Sequence, residues 1–191
     1  MVTILRIGHR IFRDKRITTH LALVSRAFGA SGIVIAGEKD EKIIKSVKKV
    51  VTEWGGDFTI NFVPFEEWKP FLEEWTEKQY KIIHLTMYGE NLPVFQQNKE
   101  FTDLSSSPEL LKRLLVVVGG KKVPSKVFQY ANWNIAVSNQ PHSEVGALAI
   151  FLSHLIPNSL EKSFPNPSRQ ILPSIEGKKS YLGAKNGNKE S

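Results

Sequence analysis

Apolar and polar positions follow two different periods along the chain, and their order predicts a succession of strands and helices. Strands are predicted where apolar, often β-branched residues run together, and helices where apolar residues recur every three or four positions. Because the two kinds of segment alternate, the pattern predicts an α/β fold with a mostly parallel sheet flanked by helices. The predicted strands are Val2–Ile7, Gly32–Ala36, Thr59–Val63, Lys81–Thr86, Leu114–Val118 and Asn134–Val137.

Start and stop signals mark the predicted helices between these strands. The first is expected to begin at Thr18 or Thr19 and to end at Gly29, and Asp40 is expected to cap the second. Residues 88–108 contain Gly89, Pro93 and a polar run, so they predict a loop or short irregular excursion that could act as a lid. The remaining predicted helices are Glu66–Gln79, Pro108–Arg113, Ser125–Ala131 with Ser125 as its cap, and Glu144–Leu155.

Length and composition favour one compact domain followed by an extension. The chain has 191 residues, of which 41% are hydrophobic, enough for a single sizeable core. We assign residues 1–156 to this domain. In residues 157–191 the composition shifts, with 17 of 35 residues being Gly, Pro, Ser or Asn, so a basic extension is expected, disordered over Lys185–Ser191. The apolar residues that could fasten it to the body or to a second subunit are Phe164, Ile171, Leu172, Ile175, Tyr181 and Leu182.

The positive charge lies at the two ends of the chain. The net charge is +7, with six basic residues against one acidic in residues 1–30 and six against three in residues 157–191. Such concentrated charge attracts polyanions such as RNA, although a merely solubilising surface has the same composition. The residues before the predicted first helix that could meet RNA phosphates are His9, Arg10, Arg13, Lys15 and Arg16.

Several function classes find no support in the composition. The absence of cysteine excludes disulfides, thiol nucleophiles and thiolate metal sites, and the five histidines show no metal-ligand spacing. No apolar stretch approaches the roughly 20 residues of a membrane span, and Arg6, Arg10 and Arg13 interrupt any signal-peptide pattern. We therefore expect a cytoplasmic protein that uses neither a membrane nor a metal.

Two loops carry the clearest functional signal. The strand Leu114–Val118 runs directly into Gly119 and Gly120, where the backbone can approach a ligand closely because no side chain intervenes. A second loop, between Val137 and Glu144, opens a helix whose unpaired amide groups could meet a nucleoside-like or anionic ligand. Together the loops predict a cofactor site, although a turn that simply requires glycine would also account for Gly119 and Gly120.

These loops resemble the carboxyl-terminal motifs of the SPOUT methyltransferases. The resemblance to this superfamily rests on residues 117–124 and 138–149. Three further segments, residues 6–10, 13–20 and 25–30, resemble a narrower family within it. This family is the archaeal methyltransferases that modify the ribose 2′-hydroxyl of cytidine 56 in the tRNA T-loop. The resemblance covers residues 1 to about 156. The resemblance implies a carboxyl-terminal deep trefoil knot, S-adenosylmethionine as methyl donor, tRNA as substrate and a homodimer as the working enzyme.

The cofactor contacts of the family fall on three segments of this chain. They are His84–Thr86, Val117–Lys121 and Ile135–His142, and the resemblance implies that main-chain groups provide most of the contacts. The predicted cofactor-binding residues are Leu85, Val117, Val118, Gly119, Gly120, Lys121, Ile135, Ala136, Val137, Ser138, Asn139, Gln140, Pro141 and His142.

The resemblance also suggests catalytic candidates. Arg26 matches the motif arginine of related ribose methyltransferases, so it is expected to orient the hydroxyl or an adjacent phosphate, since an arginine is a poor proton acceptor. His142 could relay a proton beside Ser143, but it could equally be fixed by hydrogen bonds within the cofactor loop, and Ser143 could simply cap a helix. His20 departs from the family pattern, where we expect asparagine, and is grouped with the RNA-binding candidates.

Two other functions fit part of this pattern. A catalytically silent RNA-binding protein could keep the fold and the cofactor site without transferring a methyl group. A nucleotide-binding metabolic enzyme would fit the glycine loops but would leave the basic amino-terminal region without a role.

Overall fold

Six parallel strands form the central sheet of the computed structural model, which describes residues 1–120 and 123–182. Their order across the sheet is β3-β2-β1-β5-β4-β6, and every pairing is parallel. The predicted α/β fold with a mostly parallel sheet is therefore confirmed. The strands are β1 (Thr3–Ile7), β2 (Gly32–Ala36), β3 (Thr59–Val63), β4 (Lys81–Asn91), β5 (Leu114–Gly119) and β6 (Trp133–Ala136).

Helices cover both faces of this sheet. Alternate strand residues pack on opposite sides, so that Ile4 belongs to one core and Leu5 to the other. Among the described residues, no helix is long and apolar enough to span a membrane. The helices are α1 (Lys15–Ala27), α2 (Glu41–Trp54), α3 (Trp68–Glu77), α4 (Leu92–Phe95), α5 (Lys99–Ser106), α6 (Pro108–Lys112), α7 (Val127–Tyr130) and α8 (Glu144–Leu155), with 3-10 turns at Phe65–Glu67 and Ser159–Glu161.

Helix α1 begins earlier than the sequence predicts. It starts at Lys15 rather than at Thr18 or Thr19, so Lys15 and Arg16 lie in its first turn and not in the preceding loop. Asp14 precedes the helix, but its carboxylate accepts hydrogen bonds from the backbone N and the Nε of Arg10 instead of capping the helix. Because these hydrogen bonds close residues 10–14 into a compact turn, α1 can begin directly after that turn.

The segment after the fourth predicted strand is more regular than expected. β4 continues past Thr86 to Asn91, with an irregularity in its pairing to β6 between Leu85 and Glu90. A Cβ at Gly89 would lie only 2.3 Å from the carbonyl oxygen of Asn134, which explains why glycine occurs where the strands come close. Helices α4 and α5 then follow, so the prediction of a loop over residues 88–108 was wrong.

Of three predicted helix caps, two are confirmed and one is wrong. Ser143 caps α8, and its Oγ accepts a hydrogen bond from the backbone N of Val145. Ser125 does not cap α7, which begins two residues later and has Lys126 at its N-cap without a side-chain hydrogen bond. Asp40 caps α2 as predicted, accepting hydrogen bonds from the backbone N of Lys42 and Ile43.

The carboxyl-terminal extension folds back on the domain as a hairpin. Its strands β7 (Arg169–Leu172) and β8 (Lys179–Leu182) pair antiparallel. Ser168 donates a hydrogen bond to the Thr52 carbonyl at 3.1 Å, and Arg169 pairs with Glu53. The extension therefore docks on the end of α2. The predicted disordered segment Lys185–Ser191 lies outside the described residues.

A single aromatic residue provides most of the apolar attachment. Phe164 packs against Gly56, where a Cβ would lie 2.8 Å from its ring. The adjoining backbone is also joined, because Gly56 N donates to the Pro165 carbonyl at 3.0 Å. The other residues predicted to fasten the extension have exposed side chains, namely Ile171, Leu172, Ile175, Tyr181 and Leu182.

Candidate active site

Two cavities lie side by side at the carboxyl edge of the parallel sheet. We name the first the arginine cavity; it has a volume of about 630 Å³ and is lined mainly by the loops after β1 and β2. The second, the glycine-loop cavity, has a volume of about 590 Å³ and is lined by the middle of β4, the end of β5 and the start of α8. Both are lined by Gly120 and Glu144. The carboxyl edge of an α/β sheet is where ligands of this fold class bind.

The glycine-loop cavity brings together the three segments predicted to hold the cofactor. They meet because β5, β4 and β6 are neighbours in the sheet, so their carboxyl ends open at one place. The predicted residues that line it are Leu85, Val118, Gly119, Gly120, Pro141 and His142. Val117, Ile135 and Ala136 are buried in the strands behind it, and Lys121 lies outside the described residues.

The size and the apolar lining of the glycine-loop cavity suit S-adenosylmethionine. A Cβ at Gly120 would meet no atom of the described residues beyond its chain neighbours within 4 Å, so a side chain there would occupy open space at the junction of the two cavities. The walls are largely apolar, which suits a nucleoside and a thioether. Sequence reasoning missed the wall residues outside the three predicted segments, namely Met87, Tyr88, Val123, Phe128, Glu144 and Ala147.

Hydrogen bonds fix the loop between β6 and α8. Asn139 Nδ2 donates to the carbonyl oxygens of Met87 and Gly89, at 2.7 and 3.2 Å, and so joins this loop to β4. His142 has both ring nitrogens near carbonyl oxygens, those of Ser143 and Ser138. Val137, Ser138, Asn139 and Gln140 belong to the same loop but do not line the cavity. The contacts of His142 favour the fixed-loop alternative over the proton relay.

His84 supports the floor of the same cavity. Its Nδ1 lies 2.9 Å from Asn134 Oδ1, and its ring meets Phe128 edge-on with 4.8 Å between the centroids. Because the Asn134 oxygen is an acceptor, His84 Nδ1 donates in this pair. Burial lowers the pKa of His84, and the hydrogen bond to Asn134 opposes that shift. His84 is therefore a neutral, structural part of the wall at physiological pH.

A buried arginine connects β1 with the start of α8. The Arg6 side chain is 2% exposed, and its guanidinium donates to the Gly8 carbonyl and Thr18 Oγ1 from Nη1 and to Glu144 Oε1 from Nη2. The Arg6 to Glu144 distance is 2.8 Å. Sequence reasoning did not assign either residue a site role, although a charge in the middle of an otherwise apolar strand was the available signal.

His9 belongs to this buried network and not to the exposed basic surface. Its side chain is fully buried, with Nδ1 2.8 Å from Thr18 Oγ1 and Nε2 4.0 Å from Asp40 Oδ2. Burial lowers the pKa of His9, the Arg6 charge lowers it further, and Asp40 opposes both. The prediction that His9 contacts RNA is therefore wrong for its side chain, because burial leaves no surface for a phosphate.

The other RNA-binding candidates lie on the rim of the arginine cavity or beside it. Arg10 and Arg13 line the cavity, and Arg10 is paired with Asp14 at 3.0 Å. Lys15, Arg16 and His20 are exposed on the first two turns of α1. The amino end of this helix faces the carboxyl edge of the sheet, so its cations surround the opening through which a polyanion would approach.

Arg26 lies away from both cavities. It occurs in the last turn of α1, near the amino edge of the sheet, and lines neither cavity. Its Nη2 donates to the Gly55 carbonyl at 2.6 Å, its guanidinium carbon lies 4.3 Å from the centre of the Phe164 ring, and burial lowers its pKa. Within one chain these contacts hold the carboxyl-terminal extension to the domain, and the role of Arg26 in orienting the hydroxyl stays a prediction.

The sequence is similar to those of a family of tRNA methyltransferases. The model of the family tRNA ribose 2′-O-methyltransferase, aTrm56, matches residues 54–181. The tRNA (cytidine(56)-2′-O)-methyltransferase of Thermococcus kodakarensis is 48% identical over 180 residues, which cover 94% of this chain and 96% of that protein. The similarity to this relative covers more of the chain than the family model does.

Solved structures share the fold at low sequence identity. A crystal structure of an RNA 2′-O ribose methyltransferase superposes with a TM-score of 0.56 at 14% identity, covering 84% of this chain and 55% of that one. The SpoU methyltransferase AviRb from Streptomyces viridochromogenes, in complex with the cofactor AdoMet, superposes with a TM-score of 0.51 at 11% identity, covering 81% and 56%. This chain spans just over half of either structure, so the likeness concerns the fold. From the family match and the 48% identical relative, we conclude that the chain belongs to the aTrm56 family of tRNA ribose 2′-O-methyltransferases.

Proposed function

We propose that this protein transfers a methyl group from S-adenosylmethionine to the ribose 2′-hydroxyl of cytidine 56 in tRNA. The observation that carries the proposal is the junction of the two cavities at Gly120 and Glu144. One cavity has the size and apolar walls for the methyl donor, and the other is surrounded by exposed arginines suited to an RNA backbone. Family membership supplies the substrate class.

The cofactor site is proposed to use main-chain groups and apolar walls. Leu85 and Val118 form apolar surface, while Gly120 leaves space beside the backbone; the space beside Gly119 is filled by Val123. Asn139 keeps the third segment in place through its bonds to β4. Bound S-adenosylmethionine supplies an electrophilic methyl group, and the residues of this chain orient it and exclude water.

The arginine cavity is proposed to receive the target nucleotide. Arg10 and Arg13 line it, and Lys15, Arg16 and His20 are exposed on the first two turns of α1, where they can contact phosphates without reading the sequence. Single-stranded loops of RNA are recognised largely by stacking and base-edge contacts. We therefore expect the positive rim to determine affinity and the cavity interior to determine which ribose is reached.

A homodimer is proposed as the working form. Helix α8 packs its inner side into the core through Leu148 and Phe151, yet its outer side carries Ile150, which is 47% exposed. A second copy of the chain could cover this apolar position. A trefoil knot in the carboxyl-terminal part of the sheet and a cytoplasmic location remain predictions that fit a tRNA methyltransferase of this fold.

Methyl transfer to an unmodified tRNA transcript tests the proposal. With labelled S-adenosylmethionine, we expect label to enter the tRNA and to map to nucleotide 56 after nuclease digestion. A transcript in which cytidine 56 is replaced by uridine serves as the control and should receive far less label. A folded protein that binds both the cofactor and tRNA but transfers no methyl group would contradict the proposal and support the silent RNA-binding alternative.

A further inference from the structure

Glu144 is an acidic group placed at the junction of the two cavities. It is the first residue of α8 and lines both the arginine cavity and the glycine-loop cavity. Among the described residues that line the glycine-loop cavity, it is the only carboxylate. Its side chain is 18% exposed, so the carboxylate is partly shielded but open to a bound molecule.

The two other acidic residues of the arginine cavity have partners of their own. Asp14 accepts hydrogen bonds from the backbone N and the Nε of Arg10, and Glu38 accepts one from the backbone N of Ile11. These contacts shape the loop after β1. Glu144 differs, since its hydrogen-bonding partner is a buried side chain on the central strand β1.

Arg6 holds one oxygen of Glu144 and leaves the other available. Arg6 Nη2 donates to Oε1 at 2.8 Å, while Oε2 has no hydrogen-bond partner within residues 1–120 and 123–182. Arg6 is itself fixed by Gly8 and Thr18, so the carboxylate is held by a rigid support. A carboxylate in this arrangement is preorganised to accept a hydrogen bond from a bound hydroxyl.

We propose that Glu144 is the group that accepts the 2′-hydroxyl proton, with Arg6 as its positioning residue; this inference rests on the proposed function. The hydroxyl oxygen forms its new bond to the methyl carbon while the carbon–sulfur bond breaks, and the electron pair of that bond stays on sulfur. The hydroxyl proton moves to Glu144 Oε2. The positive sulfonium and the negative carboxylate thus become a neutral thioether and a neutral carboxylic acid, which returns its proton to solvent.

The other candidates for the proton acceptor are less suited to this role than the Glu144 carboxylate. Arginines remain protonated at any physiological pH and cannot accept a proton. His142 lines the glycine-loop cavity but not the arginine cavity, and so it lies off the junction. Glu144 therefore remains as the group at the junction with an available lone pair.

The variant Glu144→Gln tests the inference because it keeps the side-chain shape and removes the charge. We expect kcat to fall by about 10²- to 10⁴-fold, the usual contribution of a general base. The KM for tRNA and the calorimetric affinity for S-adenosylhomocysteine should stay within about threefold of the wild-type values, since binding does not require proton transfer. The residual rate of the variant should rise with pH, because hydroxide then replaces the carboxylate.

Controls separate this role from a structural one. Glu109→Gln changes an exposed carboxylate paired with Lys112 and should leave kcat unchanged. Glu144→Gln could unfold because Arg6 loses its charged partner. In that case the double variant Arg6→Gln with Glu144→Gln removes both charges, and its kcat should show the same fall of about 10²- to 10⁴-fold. A folded Glu144→Gln or double variant with kcat within threefold of wild type would overturn the inference. An inactive wild-type enzyme would overturn the proposed function as well.

Discussion

Arg6 and Arg26 are both buried arginines, but their partners give them different roles. The guanidinium of Arg6 donates to the Glu144 carboxylate at the junction of the two cavities. The guanidinium of Arg26 donates to the Gly55 carbonyl and lies over the ring of Phe164 in the carboxyl-terminal extension. A buried guanidinium is costly unless its donors are satisfied. The identity of the partner, and not the residue type, therefore decides whether such an arginine serves chemistry or folding.

Replacement of Arg26 should affect stability more than catalysis. Arg26→Ala removes a buried charged hydrogen bond to Gly55 and the contact with Phe164, so the free energy of unfolding should fall by about 1.5–3 kcal/mol. Arg16→Ala, which changes an exposed arginine in the first turn of α1, should lower it by less than about 0.5 kcal/mol. Urea unfolding measures both. Undiminished stability together with lost methyl transfer would return Arg26 to a catalytic role.

The buried histidine His9 should make stability depend on pH. Its pKa is lowered in the fold, chiefly by burial and then by Arg6, so the folded state keeps it neutral. Below the unfolded value of about 6.5, the unfolded chain binds a proton that the fold excludes, and stability falls as the pH decreases toward the folded pKa. His84 acts in the same direction.

Urea midpoints at pH 7.5 and 5.5 test this dependence at constant ionic strength. The wild-type midpoint should be lower at pH 5.5, and His9→Gln should reduce the difference between the two pH values. His154→Gln, a change of an exposed histidine on α8, should preserve the wild-type difference. An equal pH response in His9→Gln would exclude His9 as the source.

At the scale of elements, most strands and helix caps could be predicted from the local sequence. Segments whose structure depends on contacts with distant residues could not be predicted in this way. Asp40 and Ser143 could be predicted as caps because a cap needs only its own helix. The extension of β4 to Asn91 depends on pairing with β6, about fifty residues away, and no local pattern reports it. The early start of α1 likewise depends on how Asp14 bonds to Arg10.

The glycine loop after β5 should be the element most sensitive to added side chains. Gly120→Val places atoms in the open junction of the cavities without meeting the described residues beyond its chain neighbours within 4 Å of Cβ, so the fold should persist while cofactor affinity falls at least tenfold. Gly146→Ala, at another glycine with open space, should leave affinity unchanged. Calorimetry with S-adenosylhomocysteine provides the measurement. Unchanged affinity in Gly120→Val would place the cofactor elsewhere.

At the scale of the whole molecule, two neighbouring cavities and a basic rim form one continuous surface. The sequence indicated the glycine loops and the basic amino-terminal region separately, since each has a local signature. Their meeting at Glu144 could not be predicted, because β1 lies next to β5 only through the strand order of the sheet. The strand order of the sheet therefore brings the proposed site of the methyl donor next to the proposed site of the ribose that accepts the methyl group.

The basic rim should make tRNA affinity depend on salt. Each phosphate contact that is lost should weaken binding and reduce the slope of log affinity against log salt by about one unit or slightly less. We expect this for Arg13→Ala, on the rim of the arginine cavity, and not for Lys78→Ala, whose side chain pairs with Glu74 on α3. Filter binding at several salt concentrations measures the slope. Equal slopes for both variants would exclude Arg13 from the RNA contact.

The most direct test of the central claim uses a tRNA that lacks one oxygen atom. A tRNA assembled with 2′-deoxycytidine at position 56 keeps the base, the fold and the phosphates but has no acceptor hydroxyl at that ribose. We predict rapid methyl transfer to the ribose-containing tRNA and none to the deoxy tRNA, with equal binding of both. Transfer to the deoxy tRNA at the normal rate would contradict the assignment of the cytidine 56 ribose as the methyl acceptor.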